Sequence, residues 1–133
     1  MIAKKKYNIE YEIRSSPKIL FNFISTPNGL AQWFADDVNL DPQKNFVFIW
    51  DNQKSPAKKT IQKLNQQVKY EFISKDPKDN DDPSYIEFNL EESELTQTSF
   101  LKIIDYSEIE SEQDMQELYQ SLVHNLKEIV GGK

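Results

Sequence analysis

An amphipathic stretch near the C-terminus places the strongest constraint on how this chain folds. Its apolar residues recur with the period of an α-helix, which gathers them on one face. They are Met115, Leu118, Tyr119, Leu122, Leu126, Ile129 and Val130. Acidic side chains crowd the first turn, where they complement the helix dipole, and Gly131-Gly132 ends the pattern. We predict a helix over residues 112–130 that lies across a sheet.

The N-terminal segment has the alternating pattern of a half-buried antiparallel strand. In residues 6–14, Tyr7, Ile9, Tyr11 and Ile13 share one face while polar side chains share the other. Similar but less regular patterns predict five or six further strands. They fall at residues 38–40, 45–51, 57–64, 68–74, 85–91 and 98–106.

Three of these strands need comment. Residues 45–51 are apolar on both faces, and residues 57–64 are polar enough for an edge strand protected by lysines. The alternation of residues 98–106 leaves open which of its faces points inward.

Two short helices are predicted between the first two strands. Ser15-Ser16-Pro17 supplies a capping side chain and a proline at the first helical position, and Thr26-Pro27 repeats the signal. The second helix is expected to end near Asp36. Because proline disfavours helical geometry in the residue before it, the two helices should form a bent pair.

Composition limits the classes of protein to which the chain can belong. Its 133 residues suit a single domain over 1–133, and a net charge of −6 argues against nucleic acid as a partner. The absence of cysteine fits the cytoplasm. Neither a secretory signal nor a membrane span is expected.

No residue pattern indicates catalysis, a metal site or a cofactor. His124 is the only histidine and falls off the apolar face of the helix, so neither a zinc site nor a catalytic triad is expected. The acidic segment 76–82 lacks the spacing of a calcium-binding loop and is interpreted as a solvated turn. Three glycines are too few for phosphate-binding loops.

The order of the elements resembles the helix-grip fold of the START/pollen-allergen (SRPBCC) superfamily. The segments that carry the resemblance are residues 15–38, the FVFIW strand and the stripe LYQSLVHNLKEI. They look like the START-like branch near the homologues of the heat-shock chaperone ATPase activator, including a second helix that ends in Trp33-Phe34. The resemblance implies an α+β domain, with a long helix packed across the concave face of a curved antiparallel sheet of about six to seven strands.

The resemblance also implies a hydrophobic cavity between the sheet and the last helix. Its expected lining is Trp33, Phe34, Phe48, Trp50, Tyr70, Phe72, Phe88, Leu118, Tyr119, Leu122 and Leu126. So many rings would leave a small or partly closed cavity. Trp33-Phe34 would either close its mouth or anchor the short helices, and the polar tips of Tyr70, Tyr119 and Trp50 would either orient a ligand or be satisfied within the core.

Three functions follow from the resemblance. The first is non-enzymatic binding of a lipid or another apolar small molecule, without a cofactor. The alternative is a protein-interaction or chaperone-cofactor module, joined to a second copy or a partner through Val47 and Ile49 on the convex face of the sheet. The third is a cyclase-like enzyme, which needs an ionisable group in the cavity, and none is evident from the sequence.

Overall fold

The computed structural model describes residues 3–96 and 98–131. Within them, strands and helices alternate in an α+β order. The elements are β1 (Lys4–Ile13), α1 (Pro17–Ser25), α2 (Pro27–Ala31), β2 (Asp37–Leu40), β3 (Phe46–Trp50), β4 (Gln53–Lys63), β5 (Gln67–Phe72), α3 (Pro77–Asn80), β6 (Tyr85–Glu92), β7 (Ser99–Glu108) and α4 (Glu112–Val130). This confirms the predicted helix-grip arrangement, with the addition of the one-turn helix α3 in the acidic segment.

The strands form one antiparallel sheet in the order β1-β7-β6-β5-β4-β3-β2. The described edges are therefore β1 and β2, and the prediction that residues 57–64 form an edge strand is wrong. The strand begins earlier than predicted because Asp51 and Asn52, at φ 51° and 64°, turn the chain in two residues. Two consecutive positive φ angles are typical of the tightest hairpin turn, which pairs β4 with β3 directly.

The two short helices begin as the sequence predicts. The Ser16 hydroxyl oxygen accepts a hydrogen bond from the Ile19 N–H at 3.2 Å, and Thr26 does the same for the Gly29 N–H at 3.0 Å. Helix α2 ends at Ala31, earlier than predicted, because the following N–H groups of Phe34 and Ala35 both return to the Leu30 carbonyl oxygen. The chain therefore turns before it enters β2.

The end of α1 is fastened to the sheet by two side chains of the central strands. The Tyr70 hydroxyl donates to the Ile24 carbonyl oxygen at 2.6 Å, and the Lys59 ammonium donates to the Ser25 carbonyl oxygen at 2.8 Å. Burial raises the pKa of Tyr70 well above its usual range and lowers the pKa of Lys59. These bonds satisfy carbonyl groups that the end of a helix leaves without an internal partner.

Helix α4 spans the predicted residues and is capped at both ends. Ser111 accepts a hydrogen bond from the Asp114 N–H, and Gly131 takes the left-handed backbone conformation at φ 71°. The sequence predicted that Gly131 and Gly132 together end the helix, but Gly132 lies outside the described residues.

The apolar face of α4 consists of two rows. One row, which we call the core row, is formed by the buried residues Tyr119, Val123 and Leu126. The other, the pocket row, is formed by Met115, Leu118 and Leu122. The predicted stripe omitted Val123, which is buried, and included Ile129, whose side chain is 41% exposed.

Candidate functional site

A pocket of about 380 Å³ lies between α4 and the sheet. The pocket row of α4 forms one wall, and the ends of β3, β5, β6 and β7 form the other. Phe34, from the turn after α2, contributes its ring to the same space. Pockets of roughly 300–1,000 Å³ with mostly apolar walls are typical small-molecule sites.

Six of the eleven predicted cavity residues line this pocket. They are Phe34, Trp50, Phe72, Leu118, Tyr119 and Leu122. Phe34 packs edge-on against Trp50 with ring centroids 5.6 Å apart, and the Trp50 indole N–H donates to the Phe34 carbonyl oxygen at 3.0 Å. This pair holds the turn after α2 against the end of β3.

The other five predicted residues are buried in the core and do not line the pocket. They are Trp33, Phe48, Tyr70, Phe88 and Leu126. Trp33 donates its indole N–H to the Phe23 carbonyl oxygen at 2.8 Å, and its ring packs edge-on against Phe88. It therefore anchors the short helices, and the structure does not support a lid role for it. Tyr70 is likewise satisfied by its bond to α1.

The pocket also contains residues that the sequence reasoning missed. They are Ser55, Ser84, Tyr85, Ile86, Asp105, Tyr106, Ser107 and Met115. Met115 was part of the predicted helix stripe but not of the predicted cavity. Asp105 continues the inward alternation of Leu101 and Ile103 on β7, and all three are buried. The sequence offered no convincing candidate for an ionisable group in the cavity, and Asp105 is such a group in the pocket wall.

Asp105 is the polar centre of the pocket. Its side chain accepts a hydrogen bond from the Tyr119 hydroxyl at 2.5 Å and another from the Ser107 hydroxyl at 2.6 Å. The two bonds go to different carboxylate oxygens, and the residue is only 7% exposed. Each oxygen of this buried side chain therefore accepts a hydrogen bond from one hydroxyl group.

Tyr119 is held in its protonated, donating form. Burial raises its pKa well above the usual range, and the nearby charge of Asp105 and their hydrogen bond act in the same direction. The Tyr7 ring stacks on it with centroids 6.5 Å apart. Tyr11 lies in the same group of rings. Its hydroxyl is buried and has no hydrogen-bond partner among the described residues, and burial followed by the proximity of Tyr7 raises its pKa.

A more polar hollow of about 460 Å³ adjoins the pocket and shares Ser55, Phe72 and Ser84 with it. Basic side chains from three segments border the hollow, namely Lys4, Lys54 and Lys75, together with Glu108. The apolar pocket is thus bordered by a charged surface at this end of the sheet.

The remaining candidate groups lie elsewhere. The exposed His124 side chain contacts Glu128 at 3.1 Å along the outer face of α4. Within residues 3–96 and 98–131, no three histidine, cysteine or acidic side chains are grouped as metal ligands would be. No helix in this part of the chain combines the length and the apolar character needed to cross a bilayer.

The family of the chain follows from a comparison of its sequence with models of known families. The model of the START-like superfamily domain matches residues 1–132. The chain belongs to the START-like superfamily. This agrees with the resemblance carried by the short helices, the FVFIW strand and the α4 stripe. No curated protein matches the START-like chain in a sequence search.

Solved structures share the START-like fold at low sequence identity. The solution structure of an Aha1 dimer from Colwellia psychrerythraea superposes with a TM-score of 0.74 at 18% identity, covering 95% of this chain and 96% of the other. A Bacillus halodurans protein gives 0.73 at 18% identity, with coverages of 98% and 99%. The protein XoxI from Bacillus cereus gives 0.73 at 13% identity, with 94% of each chain covered. At these identities the likeness concerns the fold alone.

Proposed function

We propose that this START-like domain binds a mostly apolar small molecule in the pocket between α4 and the sheet. The observation that carries the proposal is the pocket itself. Phe34, Trp50, Met115 and Leu122 surround a space of about 380 Å³ that the side chains leave unfilled, although the surrounding core is densely packed with rings. Contact with an apolar ligand would remove these side chains from water, which is favourable in proportion to the area covered.

Filling the pocket tests the proposal. Leu122→Trp places a large ring on the pocket row of α4, and we expect it to abolish binding of the neutral fluorescent probe N-phenyl-1-naphthylamine. Ile129→Trp is the matched control, because Ile129 lies on the same helix, is 41% exposed and does not line the pocket. It should leave binding unchanged.

Circular dichroism and the thermal midpoint would establish that both variants fold. Binding of the probe by a folded Leu122→Trp protein at the wild-type affinity would contradict the proposal.

The second candidate is association through the convex face of the sheet. Val47 lies there opposite Pro56, and Ile73, directly after the end of β5, donates its N–H to the Pro56 carbonyl oxygen. Ile73 is 42% exposed, and Val47 and Ile49 are half-buried. This apolar row supports contact with a second copy of the chain, and the related fold of Aha1 was solved as a dimer.

A further inference from the structure

The buried acid of the pocket points to the chemistry of the ligand, in an argument that rests on the proposed function. Asp105 is 7% exposed and belongs to the pocket wall. Among the described residues, no lysine or arginine forms an ion pair with it. Its hydrogen-bond partners in the described residues are the hydroxyls of Tyr119 and Ser107.

An ionised carboxylate has room for further donors. Its two oxygens offer about four acceptor positions, and Tyr119 and Ser107 occupy one on each oxygen. A buried charge that lacks donors or a counter-ion is costly, because the protein interior solvates it poorly. The unused acceptor capacity of Asp105 is therefore suited to a donor that arrives with the ligand.

The neighbouring hydroxyls do not supply this donor themselves. Tyr119 has a single O–H, and it is already directed at Asp105. The Ser107 hydroxyl is directed at the other oxygen. Beyond this polar group the pocket wall is mostly apolar, with Phe34, Met115 and Leu122 facing the same space, although Ser55 and Ser84 also border it. The site thus pairs one acceptor group with a hydrophobic chamber.

We infer that the pocket selects an apolar molecule that ends in a hydrogen-bond donor, an amine or an alcohol, which binds the Asp105 carboxylate while its hydrocarbon part lies against the α4 pocket row. An ammonium group would also neutralise the buried charge. A ligand that ends in a carboxylate or phosphate would bring a like charge to Asp105 and would be disfavoured there.

A series of ligands with one hydrocarbon chain tests this inference. Decylamine, 1-decanol, decyl methyl ether and decanoate are titrated into the purified chain by calorimetry, at concentrations below micelle formation. We expect decylamine and 1-decanol to bind at least about tenfold more tightly than the ether or decanoate, in line with one hydrogen bond to a charged group. The ether is the matched control, because it keeps the oxygen of the alcohol but has no O–H.

The variant Asp105→Asn should reduce the advantage of decylamine over decanoate to less than about threefold, while decyl methyl ether binds as before. If this variant does not fold, the wild-type series decides the question without it.

Two results would overturn the inference. Equal binding of all four compounds would show that Asp105 does not select the head group. Tightest binding of decanoate would assign head-group recognition to the lysines of the adjoining hollow. Both results would leave the proposed function intact, whereas failure of all four compounds to bind would contradict the proposed function as well.

Discussion

Asp105 and Tyr119 meet between β7 and α4 in a contact that links the fold to the site. The Tyr119 ring belongs to the core row of α4 and is 2% exposed, while its hydroxyl donates to the acid that lines the pocket. One residue therefore packs in the core and also orients the polar group of the pocket. Burial and the nearby Asp105 raise the pKa of Tyr119, so the hydroxyl stays a donor even at alkaline pH where an exposed tyrosine ionises.

Gly29 is needed because the two short helices pack closely against each other at this position. A Cβ atom at this position would lie 2.1 Å from the Asn22 carbonyl oxygen and 2.7 Å from the Phe23 Cα. Both neighbours are backbone atoms, so no side chain can rotate away to make room. Contact at this distance requires the helices to separate.

We therefore predict that Gly29→Ala lowers the free energy of unfolding by at least about 2 kcal/mol, as overpacking against backbone does. The measurement is the urea midpoint at unchanged slope. Gly131→Ala is the control: apart from its chain neighbours, no described residue has an atom within 4 Å of the added Cβ, but Gly131 has φ +71°. It should cost only about 1 kcal/mol, through the backbone conformation. Equal losses in the two variants would contradict the steric explanation.

At the scale of elements, the two rows on the apolar face of α4 have different structural roles. The core row attaches the helix to the sheet, since Tyr119, Val123 and Leu126 are almost fully buried. The pocket row faces the unfilled space of the pocket, and Leu118 in this row is 50% exposed. Substitutions in the two rows should therefore affect different properties of the protein.

Val123→Ala is expected to lower the free energy of unfolding by about 1–3 kcal/mol, because it removes methyl groups from a closed site. Leu118→Ala should cost less than about 1 kcal/mol but weaken probe binding in the pocket. Urea unfolding and a fluorescence titration of each variant make the comparison. A large stability loss in Leu118→Ala together with unchanged probe binding would contradict the division into two rows.

At the scale of the whole molecule, the described helices α1, α2 and α4 pack on the concave side of the sheet. Trp33 of the turn after α2 contacts Phe88, and Tyr119 of α4 contacts Asp105, both of which are inward residues. The convex side keeps the row formed by Val47, Pro56 and Ile73. A partly exposed apolar row of this kind favours association.

If the second candidate function is correct, the chain sediments as a dimer at micromolar concentration and the double variant Val47→Lys, Ile49→Lys sediments as a monomer. Buried lysines at an interface are costly because their charges lose water. Ile104→Lys is the control for an added lysine on this side of the sheet, since it places one such charge on the convex face of β7. A monomeric wild-type chain, or equal dissociation of the control, would contradict association through this row.

Much of the fold was predictable because its signals are local. The N-cap positions of Ser16 and Thr26 are signalled by the proline that follows each of them, and the boundaries of α4 follow from its period and its glycine. The start of β4 was missed because the Asp51-Asn52 turn contains neither glycine nor proline, although both residues adopt positive φ. The polar composition of β4 suggested an edge strand. Its true position inside the sheet depends on its pairing with β3, and composition does not reveal strand pairing.

The sequence by itself determined the strands, helices α1, α2 and α4, their order and most of the apolar face of α4, because capping, alternation and helical period act between residues close in the chain. Only the tertiary structure decided which apolar residues fill the core and which surround open space. Leu122 and Leu126 are one turn apart on the same face, yet the packing of α4 on the sheet buries Leu126 and leaves Leu122 in the pocket. The same packing brings Tyr119 to Asp105, which gives an inward acid a partner and the pocket its polar centre.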